Sequence, residues 1–199
     1  MLASITPLGE RGRSSRWPVT VAFFIFGSAL SSAALGAAAG AVGELTWPSG
    51  FGAGHLRFAA LALALAAGVV IDLGVGGLRV PSVRRQVNED WLREYRGWVY
   101  GLGFGVQLGL GVSTIVTTTA VYGTIVAAWI TGDPVLGAAV GGSFGLVRGA
   151  SLLAGARVTS TARLVALHAR MGAWRGRVRA VGLATQAALF GVALVGVLG

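Results

Sequence analysis

From Gly97 to Ile130 the sequence runs for 34 residues without one charged side chain. An uncharged apolar stretch longer than about 18 residues is the signature of a helix made for lipid rather than water. Four more runs flank it: Pro18 to Gly43, Leu56 to Val75 (broken by Arg57 and Asp72), Pro134 to Ala156 (broken by Arg148) and Ala180 to Gly199. Only 12% of the residues are charged, about half the share a soluble domain carries. The expected fold is all-α. It is a polytopic transmembrane helix bundle of about five spans, at 18–43, 56–75, 97–130, 134–156 and 180–199, forming a single integral membrane domain over 1–199. Run three exceeds one straight crossing, since 34 residues at 1.5 Å each reach about 50 Å against a hydrocarbon core of about 30 Å. It must tilt, extend beyond the membrane, or break.

Charge sets the expected orientation. Arg11, Arg13 and Arg16 precede run one; Glu44 and Arg57 flank the next connection; Arg79, Arg84, Arg85, Arg93 and Arg96 follow run two. Only Asp133 lies in the turn after run three, and Arg157, Arg163, Arg170, Arg175, Arg177 and Arg179 follow run four. Arginine is rich, poor, rich, poor, rich along the chain, the alternation that five spans give when basic loops stay inside. The expectation is a multi-pass protein of the plasma membrane, N-terminus in the cytoplasm and C-terminus outside. The rival reading of run one is a cleaved signal peptide, basic residues leading an apolar stretch that ends in small residues.

Glycine recurs every fourth residue in two places, at Gly97, Gly101, Gly105 and Gly109 and at Gly137, Gly141, Gly145 and Gly149. That spacing lines one helix face with backbone, so a second helix can approach closely. The short turn Thr131-Gly132-Asp133-Pro134 joins runs three and four, so the two stripes are expected to meet in an antiparallel hairpin; the alternative is that the glycines let a helix hinge around a substrate. A faint echo, Phe26-Gly27-Ser28-Ala29-Leu30 against Phe104-Gly105-Val106-Gln107-Leu108, suits a parallel repeat.

Polar groups within the spans are the candidate functional residues. Arg148 and Asp72 sit toward the same end of their spans and can form an ion pair. Arg148 can equally snorkel to the headgroups or meet an anionic substrate. Gln107, Ser113, Thr114, Thr117 and Thr118, with Thr119, can line a polar path, or the hydroxyls can bond their own helix carbonyls; Ser28, Ser31 and Ser32 pose the same alternatives. In the segment from Ala162 to Val181, Leu164, Leu167, Met171, Trp174 and Val178 recur three or four apart beside Arg163, Arg170 and Arg177. This reads as an amphipathic helix on the membrane with arginines toward anionic lipid headgroups, or as a plain continuation of a neighbouring span. The net charge of +9 thus points to the bilayer as partner and away from nucleic acid. The chain has no cysteine, and its two histidines, His55 and His168, are far apart; no metal, cofactor or catalytic site is expected. The dinucleotide fingerprint fails because Leu108 stands where it needs glycine.

The segments Tyr100 to Thr114 and Phe144 to Gly149 resemble small membrane proteins of the CcdA/DsbD transmembrane superfamily, which includes LysE-type exporters. The resemblance extends over about Tyr100 to Gly149, a quarter of the chain, and implies an export-type helical bundle; the cysteine relay of that superfamily cannot apply here. The expected function is a non-enzymatic permease or exporter for a small solute or ion. The alternative is an accessory or structural subunit of a larger membrane complex, and the glycine stripes admit a homo-oligomer or such a complex as partner.

Overall fold

The structure, a computed structural model, describes residues 5–47, 53–78, 90–111 and 119–198. These are helical throughout, with no strand among the described residues. The α-helices are α1 (Pro7–Arg11), α2 (Trp17–Thr46), α3 (Ala53–Leu73), α4 (Trp91–Glu94), α5 (Gly97–Gly109), α6 (Ala120–Thr131), α7 (Pro134–Ala150) and α8 (Thr161–Leu198), with 3-10 turns at Val75–Gly77 and Ser151–Gly155. Four helical stretches are long and apolar enough to cross a bilayer: Trp17–Thr46, Gly54–Leu73, Pro134–Gly155 and Thr161–Leu198. The chain is a helical membrane protein.

Run three is described as two helices and not one. It appears as α5 and α6, of 13 and 12 residues, each only about 20 Å long. Helix α5 ends two residues before Gly111, whose φ of +68° is a left-handed conformation that glycine adopts freely. The arginine-rich segment at 162–181 is no separate helix either: with run five it forms the 38-residue α8, the second of the two arrangements open to it.

The contacts divide the chain into two compact units, Met1–Ser32, Arg85–Thr114 and Gly142–Gly176 in one, Ala33–Arg84, Ile115–Gly141 and Arg177–Gly199 in the other. In unit one the first half of α2 lies between two glycine stripes. A side chain at Gly101 would meet the Thr20 carbonyl at 2.5 Å, and one at Gly105 or Gly109 would run into the carbonyls of Phe24 or Ser28. So α5 runs parallel to α2 with the two backbones in contact. Gly145 and Gly149 abut Ser28 and Ile25 of the same helix, so α7 runs antiparallel to it. In unit two, Gly137 abuts Gly36, and Gly40 abuts Asp133. The stripes are close-packed as expected, but the atoms nearest to both belong to α2. The reason lies in α2 itself: Gly27, Gly36, Gly40 and Gly43 with Ser28, Ser31 and Ser32 keep it thin on both sides. Its serines then bond across. Ser28 Oγ donates to the Gly145 carbonyl at 2.8 Å, Ser32 Oγ to the Gly109 carbonyl at 2.7 Å, and Ser31 Oγ to Val106 at 3.1 Å as well as to Gly27 of its own helix at 2.8 Å.

The core of unit one is Ile5, Val21, Phe24, Tyr100, Phe104 and Leu152, with the Trp91 ring stacked on Phe104 at 6.0 Å. In unit two, α3 packs along α6 in antiparallel sense. Arg57 Nη1 donates to the Thr131 carbonyl at 3.4 Å near one end, and Asp72 meets Thr119 near the other. The ends of α2 and α6 are joined by Trp47 and Trp129, ring centroids 4.5 Å apart. Such tryptophans favour the membrane–water boundary, where the ring is apolar and the N–H is wet.

Candidate functional site

Two polar clusters stand out, one in each unit. In unit one Glu10 is buried to 1% exposure. Helix α1 begins where Thr6 Oγ1 accepts from the Gly9 N–H at 3.2 Å, and Leu8 N–H donates to the Val158 carbonyl at 3.1 Å. This places Glu10 over the start of α2 and α5. The Tyr100 hydroxyl donates to the Glu10 carboxylate at 2.6 Å, Thr20 Oγ1 at 2.9 Å, and Arg13 Nη2 at 2.8 Å in an ion pair. Burial acts to lower the Arg13 pKa, but the bonds and charges of Glu10 and Tyr100 outweigh it and raise it. The guanidinium, 5.8 Å from the Tyr100 ring centroid, stays a cation. The cluster is charge-balanced and well hydrogen-bonded, as a buried ion pair must be to persist. Above it opens a cleft of about 650 Å³ with Arg13, Arg16, Arg96 and Glu94 in its wall.

In unit two the carboxylate of Asp72 caps α6 from another helix. The Thr119 backbone N–H donates to its two oxygens at 2.9 and 3.2 Å, and Thr119 Oγ1 donates to Oδ2 at 2.9 Å. Gln186 Nε2, on α8, donates to Oδ2 at 2.9 Å, and Arg179 Nη2 to the Asp72 main-chain carbonyl at 2.9 Å. A carboxylate at a helix N-terminus satisfies its free N–H groups and complements its dipole.

The residues singled out from the sequence fall as follows. Asp72 is at this junction. Arg148, half-buried on α7 in unit one, lies over the Phe144 ring at 5.8 Å, so the two expected ion-pair partners belong to different units. Gln107 is half-buried on α5. Ser113, Thr114, Thr117 and Thr118 lie outside the described residues. Ser28 and Ser32 neither line a path nor bond their own helix; they donate to neighbouring helices. Sequence reasoning missed Glu10, Tyr100 and Gln186. For Gln186 a signal existed, an amide inside an apolar run; for Glu10, in a polar leader 90 residues from Tyr100, there was none. Among the described residues no group of three or more His, Asp or Glu side chains is placed to hold a metal ion.

No family model matches the sequence, those of the CcdA/DsbD and LysE groups included, and no solved structure matches it. The chain is similar to the methylamine utilization protein MauF of Paracoccus versutus, 33% identical over 142 residues, 66% of this chain. The match spans about half of that relative's length, 49%.

Proposed function

We propose that the chain is a non-enzymatic subunit of a membrane assembly serving the utilisation of small amines, set in the plasma membrane with its N-terminus inside. The observation that carries this is the use made of Asp72. The acidic group in the spans that a transporter would keep for cargo is bonded by Thr119 and Gln186 and joins three helices of its own chain. The likeness to a protein of methylamine utilization supplies the process. A deletion strain able to use methylamine should lose growth on it and keep growth on other sources. The tagged chain, extracted in mild detergent, should bring down partners in fixed stoichiometry. Normal growth on methylamine, or a chain that purifies alone at every detergent strength, would sink the proposal.

The left-handed turn at Gly111 within run three favours a second reading, a permease, because broken spans are a common way to build a transport site. Uptake of methylammonium by proteoliposomes holding only this chain would decide for it.

A further inference from the structure

We propose that the cleft at the start of α8 binds the phosphate of an anionic phospholipid. The cleft holds about 490 Å³, with Arg157, Arg163 and Arg170 at its rim and Ala154, Val158 and Leu167 among its apolar lining. No Asp or Glu is part of that lining. Arg157, Arg163 and Arg170 are all exposed, and three guanidiniums lining one small volume repel one another. The cleft above Glu10 differs in this respect: there Arg13 is answered by the buried Glu10, and Glu94 stands in the wall. Of these two clefts, the one at α8 has no acidic residue in its lining to answer its arginines.

The geometry is prepared for one. Arg163 Nη1 donates to the Arg157 carbonyl at 3.2 Å and to Thr159 Oγ1 at 2.9 Å. The side chain is therefore held before any ligand arrives, and little rotamer freedom remains to be lost on binding. Val158, on the floor, is 3% exposed, and its carbonyl is tied to Leu8. Arg157 follows Gly155, the end of a stretch long enough to cross the membrane, by two residues. A cationic rim, an apolar floor and a place beside a span end together fit an amphiphile with a phosphate head. A free phosphate would satisfy the rim and leave the floor without a partner.

The test is native mass spectrometry of the purified full chain, titrated with phosphatidylglycerol and with phosphatidylcholine. Phosphatidylglycerol should bind about a hundredfold more tightly, given three basic residues each contributing about a fivefold preference for anionic lipid. Arg163→Gln should cut that preference about fivefold, and the variant with Arg157, Arg163 and Arg170 all changed to Gln by about a hundredfold. Arg175→Gln, on the same helix outside the cleft, should leave it unchanged. Circular dichroism checks that each variant is folded; if the triple variant fails, the three single variants decide. Equal binding of the two lipids overturns the site. So does an equal loss with Arg175→Gln, which would mean a diffuse charge effect. Displacement of the lipid by millimolar inorganic phosphate as readily as by short-chain phosphatidylglycerol would also overturn it, in favour of a simple anion pocket.

Discussion

Removing the Tyr100 hydroxyl would leave the Glu10 carboxylate, 1% exposed, short of its closest donor. A hydrogen bond to a charged group contributes about 1.5–3 kcal/mol, so Tyr100→Phe should lower thermal stability in detergent by about that amount. Thr20→Val should cost less, because Thr20 bonds one carboxylate oxygen at 2.9 Å whereas the Tyr100 hydroxyl lies 2.6 Å from both. Melting of Tyr100→Phe indistinguishable from the unmodified chain would mean that the carboxylate draws its stability from elsewhere. Asp72 was readable in the sequence because an acidic residue in an apolar run has few structural excuses. Glu10 was not, because acids are ordinary in a polar leader and its burial depends on a tyrosine 90 residues away. Single-residue chemistry is visible in sequence when it breaks a local pattern and invisible when only tertiary contact makes it unusual.

The glycines on α5 and α7 are the same residue type as those on α8, yet the structure gives them different work. A methyl at Gly105 or Gly137 would fall against a carbonyl of α2, whereas one at Gly172, Gly182 or Gly191 meets nothing within 4 Å. Gly105→Ala and Gly137→Ala should therefore push α2 away and lower the melting temperature. Gly182→Ala and Gly191→Ala should be neutral, or stabilise by up to about 1 kcal/mol through helix propensity. Equal behaviour of the two sets in a detergent melting series would refute the backbone-contact account. The four-residue period was enough to find the packing faces, but the partner was hidden, since a stripe says that something approaches closely and not what. The length of run three foreshadowed that it would not be one straight helix, and α5 has ended by the left-handed Gly111.

On the scale of the whole molecule, segments of the N-terminal leader, the α5 start and the α7–α8 connection, each rich in arginine, all belong to unit one. Leu8 bonds Val158 there, and Arg13, Arg16 and Arg96 share a cleft wall. The positive-inside rule expects these segments, each after an even number of crossings in the five-span arrangement, on the cytoplasmic side. The chain has no cysteine, so single cysteines report cleanly. Arg11→Cys and Ser160→Cys should react with a membrane-impermeant maleimide only from the cytoplasmic side, and Gly54→Cys only from outside. Labelling of residues 11 and 160 from opposite faces would end the five-crossing topology. Runs one, two, four and five were readable from composition, and each falls largely in a helical stretch long enough to cross a bilayer. The division into two units was not, because α2, α7 and α8 each run continuously through the boundary residues.

The serines of α2 also carry a consequence for biosynthesis. Helix α2 is made early, yet Ser32 must wait for Gly109, 77 residues later, and Ser28 for Gly145, 117 residues later. At about 5–20 residues per second, that wait is roughly 6–23 s for Ser28. Of the three, only Ser31 also bonds its own helix in the finished fold, at the Gly27 carbonyl. During this interval a thin, hydroxyl-bearing helix stands in the bilayer with its most adhesive face open, and the insertion machinery must shield that face until α5 and then α7 arrive.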